Sequence, residues 1–431
     1  FRGWVLHVRQ CGGDRRLLTE RLVAGEHLVC QQPDEKKIRG GGGGGGTAGA
    51  TTAKYLRMWS GGSVDVTLIE PNDAFVSCPI SNLVLGGIRE MTDITTAYDN
   101  LPARHGVRLV RDRVSGIDLD RRQVRLAGGS TLDWDRLVLA PGIDFMWDQL
   151  PAMNNASAQE QVLHAWKAGP QTVALRQQLE AMPDGGVYAL SIPLAPYRCP
   201  PGPYERACQV AHYFKEAKPR SKVLVLDANA DVTSKGALFK KAWADRYADI
   251  IEYRPEHRLI DVDVAGKTLK FDFQDDIKAD VLNVVPPQYA GSVVRDASLA
   301  TANNRWAEVN WLTMESVVAP GVHVLGDSIQ TAPLMPKSGH MANQHGKTAA
   351  AAIIALLSGN EPDPLPIYTN TCYSFVSDID VIHVASVHRY DAEEKTMLTV
   401  PGSGGVSPAA SEEEGKFAMM WAHNIWADTL A

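Results

Sequence analysis

A chain of 431 residues exceeds what one ordinary core organises, so two or three domains with room for a large buried cofactor are expected. A hydrophobic fraction of 45%, a charged fraction of 22% and a formal net charge of -7 are those of a soluble globular protein and disfavour non-specific binding to nucleic acid. No apolar run approaches the ~18 residues of a spanning helix. Six cysteines (Cys11, Cys30, Cys78, Cys199, Cys208 and Cys372) form no C-x-x-C pair and no C-x-x-C-H, which argues against a zinc knuckle and against a covalent c-type haem in this chain.

In chain order, residues 1–39 show neither periodicity nor the apolar middle of a signal peptide and read as a leader or unstructured tail. Gly40 to Gly46 then stand where the first strand of a nucleotide-binding unit belongs, although seven glycines cannot pack as a central strand. Gly44-x-Gly46-x-x-Gly49 opens the helix "TAGATTAKYLRMW", and the strand "SVDVTLIE" ends at Glu70, 21 residues after Gly49. That register is a dinucleotide fingerprint: the glycines admit a pyrophosphate at a helix N-terminus, and the acid takes the ribose hydroxyls.

The hairpin "GIDLDRRQVRL" and the strand "RLVLAPG", ending at Ala140, complete the first part of this unit. It returns far downstream in "GVHVLGDS", whose Gly326 and Asp327 are placed for a ribityl chain, followed by the helical "GHMANQHGKTAAAAIIALL". His340 and His345, five apart on that helix, read as structural. The FAD-binding domain is thus 40–150 and 291–364. Between them, 151–290 is a second Rossmann-like domain with strands "GVYALSI", "KVLVLDAN" and "VLNVVPP".

Its first strand-to-helix corner reads "PYRCPPGPYERA": Cys199, two prolines and Glu205 stand where NAD-binding glycines would be, so no nicotinamide site is expected. A helix N-terminus lowers a thiol pKa, and the following prolines favour extended backbone at Cys199. Residues 365–431 form a small C-terminal domain with a strand pair carrying Cys372 and a last helix whose Phe417, Trp421 and Ile425 share one face, read as a packing face. The whole is α/β: two Rossmann-like nucleotide-fold domains in a glutathione-reductase-like arrangement plus a small α+β domain.

"GGGTAGATTAKY", "VTLIEPN", "SCPISN", "LAPGI", "PYRCPPGPYERA", "VLGDS", "PLMPKSGH" and "NTCYS" together closely resemble the flavin subunits of flavocytochrome c sulfide dehydrogenases, from about Gly44 to the C-terminus. The chain departs from the family at Ala48, where a glycine is usual, and in its glycines where a hydrophobic first strand is usual. The resemblance implies FAD attached covalently at its 8α position to Cys78, and a redox disulfide between Cys199 and Cys372 beside the flavin. It also implies a separate c-type cytochrome subunit in a heterodimer, sulfide as substrate and a periplasmic location. On residue chemistry, Glu205 is a candidate base for the substrate proton and Lys337 a cation for charge on the reduced ring. Cys208 reads as core. A sulfide:quinone oxidoreductase is the alternative, and a flavin-bearing subunit without turnover a third possibility.

Overall fold

The computed structural model describes residues 5–10 and 46–431. Gly44, Cys11 and Cys30 lie outside the described residues. The first unit is a seven-stranded sheet. Its first-strand slot is filled by β1 (Val5–Gln10), within the stretch taken for a leader or tail; Gly40 to Gly45 lie outside the described residues. β1 lies antiparallel between β2 (Val64–Ile69) and β4 (Arg136–Leu139), pairing Val5 with both Ile69 and Leu139. β2 continues in parallel to β3 (Arg108–Val110). Only Asp65 of β2 is exposed; so continuous an apolar strand is covered on both faces.

Helix α1 (Thr47–Trp59) enters this sheet at Gly46, and the short α2 (Ser81–Gly86) follows. The second unit is a parallel four-stranded sheet of β5 (Val187–Ile192), β6 (Lys222–Asp227), β7 (Ile251–Arg254) and β8 (Val281–Val284), in the order β7-β6-β5-β8. Its crossover helices are α3 (Gly202–Ala217) and α4 (Gly236–Arg246). The chain then returns to the first sheet with β9 (Val322–Val324), parallel to β4, and α5 (Gly339–Leu357). α5 crosses close over α1 because Gly346 has no side chain: a Cβ there would sit 2.8 Å from the Ala48 carbonyl oxygen.

The C-terminal unit is the hairpin of β10 (Ile367–Phe375) and β11 (Val381–Asp391) with helix α6 (Glu412–Leu430). Ser411 caps α6 by accepting from Glu414 N at 3.2 Å, and three glutamates fill its first turn, where the helix dipole favours negative charge. The buried side of α6 is Gly415, Ala418, Ala422 and Thr429, whereas Phe417 is 45% exposed. The predicted Phe417 face is therefore not the buried one. Small residues are needed because the helix presses on the hairpin backbone.

At Gly415 that pressure is extreme, since a Cβ would fall 2.0 Å from the Ile379 carbonyl oxygen. Gly415→Ala must push α6 off the hairpin, and a loss of about 1–3 kcal/mol is expected. Denaturant unfolding of the variant, set against the wild type, measures it.

Candidate functional site

One end of the site is built on the first sheet. No side chain caps α1 at Gly46 and no acid occupies its first turn, while a Cβ added to Gly46 would meet nothing within 4 Å. Gly49 lies buried within that turn. Glu70, fully buried at the end of β2, accepts from Asn72 N at 2.7 Å, from Asn72 Nδ2 at 2.9 Å and from the Tyr98 hydroxyl at 3.2 Å. Ala140 follows the last residue of β4 and is buried beside Pro141. Gly326 takes a left-handed φ of 67° and brings the backbone of Asp327 up to α1, its would-be Cβ lying 3.4 Å from the Ala48 Cβ.

Burial raises the Asp327 carboxyl, with Arg198 and Lys337 opposing. The Lys337 amine donates to the carbonyls of Asp327 at 3.0 Å and Ile329 at 2.5 Å and lies 3.6 Å above the Trp306 ring. Burial depresses it to about 7. Cys78 sits at the head of α2. Burial opposes its ionisation, but the Arg198 guanidinium and the Ala168 N–H outweigh this and hold the thiol below its usual value.

A helix start with no side-chain cap among the described residues and a buried acid at the second strand end fit a dinucleotide such as FAD. Gly46, Gly49, Glu70, Ala140, Gly326 and Asp327 would hold it, with Cys78 at its rim.

The other end lies where the second and C-terminal units meet. Cys199 is not extended: its φ is 58°, in the left-handed region that a non-glycine residue adopts only when its surroundings impose it. The bonds Cys199 N to Lys337 O at 2.8 Å and Gly202 N to Cys199 O at 2.9 Å impose it here. Nor is its thiol acidified. Burial first, then Cys372 and Glu205, push it up to about 12.

Cys372 on β10 is likewise raised by burial, against the pull of Lys235 and a hydrogen bond with Asn370. The two sulfurs are thiols in this structure and lie close enough to perturb one another. Glu205 stands beside them on α3, accepting from Phe375 N at 2.8 Å through Oε1 and from Asn82 Nδ2 at 2.8 Å through Oε2. Burial nonetheless raises its carboxyl.

Two charged residues of the site were not singled out from the sequence. Lys235, the residue before α4, sends its amine to Cys372 O at 2.9 Å, Ser374 Oγ at 2.7 Å and Ile382 O at 3.4 Å. Arg198 is adjacent to Cys199 in sequence, which is the one signal that could have flagged it. Cys208, as expected, is core: it is fully buried and accepts from Trp243 Nε1 at 3.3 Å.

The second sheet also ends a strand in a buried acid. Asp227, at the end of β6, is fully buried and accepts from the hydroxyls of Tyr204 at 2.7 Å and Tyr253 at 3.1 Å and from Asn229 N at 2.9 Å. Tyr204 belongs to the same cysteine corner that replaces the glycines.

One nucleotide fold with an open helix start, joined to a second whose corner is given over to cysteine, is the layout of the two-domain flavoprotein disulfide oxidoreductases. A family model described as pyridine nucleotide-disulphide oxidoreductase matches residues 44–181. Two narrower models, the central region of the sulfide dehydrogenase [flavocytochrome c] flavoprotein chain and the flavin-binding region of flavocytochrome c sulphide dehydrogenase, match 172–286 and 364–430. A sulfide dehydrogenase [flavocytochrome c] flavoprotein chain from Chlorobaculum thiosulfatiphilum is 61% identical over 36 residues, 8% of this chain and 73% of that sequence. The chain belongs to the flavocytochrome c sulfide dehydrogenase flavoprotein family.

It is also similar to mitochondrial sulfide:quinone oxidoreductases, at 25% identity over 62% of this chain for the Mus musculus protein and 23% over 65% for that of Dictyostelium discoideum. This chain spans 60% and 63% of those relatives' lengths. Among solved structures, the sulfide:quinone oxidoreductase of Aquifex aeolicus superposes with a TM-score of 0.71 at 17% identity over 90% of both chains. A putidaredoxin reductase–putidaredoxin complex does so with a TM-score of 0.62 at 19% identity over 88% of this chain and 91% of that one. Both establish the shared fold.

His345 behaves as a structural residue. Its ring lies between Trp311 and Tyr368, at centroid distances of 6.1 and 5.3 Å, and neither nitrogen finds a partner. Burial, then Lys337, depresses it to about 3. The unfolded chain takes up this proton below about 6.5 while the folded one refuses it, so stability is lost as pH falls from 6.5 through 3. His345→Phe should flatten that part of the stability–pH curve, measured by urea midpoints between pH 7 and 4.

Proposed function

We propose that this protein oxidises sulfide at a Cys199–Cys372 disulfide next to FAD tethered to Cys78, and passes the electrons to a separate c-type cytochrome subunit in the periplasm. The meeting of Cys199, Cys372 and Glu205 at the corner where a nicotinamide would bind carries the proposal. In an oxidising compartment two such thiols persist as a disulfide.

Hydrosulfide attacks one sulfur of the pair. The S–S bond breaks, a persulfide forms on that cysteine, and the electron pair stays on the other as thiolate. Glu205 takes the proton of bound hydrogen sulfide; its upward shift suits a base working near neutral pH, and the Phe375 and Asn82 donors orient it. FAD, when bound, supplies two-electron uptake and one-electron release. Lys337 and Arg198 supply positive charge along the seat between Asp327 and Cys78. Among the described residues no helix is long and apolar enough to cross a membrane.

The likeness to sulfide:quinone oxidoreductases favours a second reading, with quinone as the acceptor. Sulfide-dependent quinone reduction in detergent by the chain alone, with none of cytochrome c, would select it.

Cys199→Ser and Cys372→Ser should each abolish sulfide-driven flavin bleaching while dithionite still reduces the flavin. Sulfide turnover in either variant would overturn the mechanism. Cys78→Ala should release its FAD on acid precipitation where the wild type retains it; yellow precipitate from the variant would place the tether elsewhere. NADH should not bleach the flavin saturably, because Cys199 and two prolines stand where the glycines that admit a pyrophosphate would be.

A further inference from the structure

We propose that Lys235 is a positioning residue of the sulfur site: its buried ammonium holds the strand carrying Cys372 and stabilises thiolate charge there. This rests on the disulfide chemistry proposed above.

An ammonium has three N–H donors, and the three acceptors around Lys235 account for them: the Cys372 carbonyl, the Ser374 hydroxyl and, at longer range, the Ile382 carbonyl. All three are neutral, and all lie on the β10–β11 hairpin. Hydrogen bonds to neutral partners satisfy the ammonium's donors without compensating its charge, which is left to the ionisable groups that face it.

The ionisable groups facing it are Cys372 on β10, Cys199 at the corner, Glu205 on α3 and Glu414 on α6. Glu205 is occupied by Phe375 N and Asn82, and Glu414 accepts from Ser407 Oγ at 2.6 Å and lies 2.9 Å from His383 Nδ1. Cys372 is the group whose charge changes in the reaction. When hydrosulfide bonds to the Cys199 sulfur, the S–S bond breaks and its electron pair stays on Cys372. The anion then forms beside the cation, with no further reactant and no charge unbalanced.

A hydrogen-bonding clamp alone would need a donor but no charge, and the two roles separate experimentally. Lys235→Gln keeps a neutral donor towards the Cys372 carbonyl; Lys235→Arg keeps the charge. In the dithiothreitol-reduced holoenzyme, iodoacetamide labelling of Cys372, followed by peptide mass spectrometry across pH, reports its thiolate. Lys235→Gln should move the midpoint up by about one unit and slow labelling roughly tenfold at pH 7.5. Lys235→Arg should restore the rate to within about threefold of wild type on the same basis. A folded Lys235→Gln whose profile overlays the wild type overturns the proposal.

Should that variant fail to fold, the wild type still decides by reciprocity. Lys235 acetylation by acetic anhydride near pH 8 should fall when the protein is reduced and the thiolate appears; equal labelling in both redox states overturns the proposal. Alkylation of both Cys199 and Cys372 without prior reduction would remove the disulfide reading, while the pH profile still judges Lys235.

Discussion

The structure depends on how the second nucleotide fold grips the C-terminal hairpin. Cys199 and Cys372 are 173 residues apart in the chain, and nothing local brings them together. Two polar side chains do, Lys235 buried and Glu205 part-buried. Glu205 on α3 takes the Phe375 N–H, and Lys235 before α4 takes the Cys372 carbonyl. Gln209, one turn beyond Glu205, adds bonds to the carbonyls of Phe375 and Ser377 at 3.2 and 2.8 Å. Each would be costly to bury alone, so each is satisfied only when the hairpin is in place. The same contacts that close this long loop therefore set the separation of the two sulfurs.

Burial also divides the electrostatics between the two ends of the site. At the flavin end, Arg198 lies between Cys78 and Asp327, and Lys337 sits against the Asp327 carbonyl, so positive charge lines the seat. At the sulfur end desolvation dominates, and both thiols resist ionisation. A part-buried site that disfavours a free thiolate is one in which a single nearby cation matters, because charge interactions strengthen as the surroundings become less polar.

The second fold shows how one architecture is turned from one ligand to another. Its parallel sheet and crossover helices are those of a dinucleotide domain, yet Tyr204 and Tyr253 hold the acid at the end of β6 and prolines replace the corner glycines. The site is redirected by side chains at a few strand ends while the sheet beneath stays the same.

Much of this was legible in the residues, because it depends on short-range geometry. Gly46, Gly49 and Glu70 in register with a helix and a strand declare a nucleotide unit, and the stretch around Cys199 declares a strand-to-helix corner of a second one. Gly326 and Asp327 at a strand end mark the return to the first sheet. Other features were invisible for a physical reason. The left-handed backbone of Cys199 is imposed by Lys337 and Gly202 through tertiary hydrogen bonds, against what its prolines favour. Its raised pKa follows from burial by chain-distant residues. The buried side of α6 is chosen by close contact with the Ile379 carbonyl and not by its largest side chains. The antiparallel β1 is a choice of partner strands that no local pattern encodes. Periodicity, turn chemistry and motif spacing are properties of neighbours in the chain, and these the sequence by itself determined; desolvation, charge and backbone strain belong to neighbours in space, and only the tertiary structure decided them.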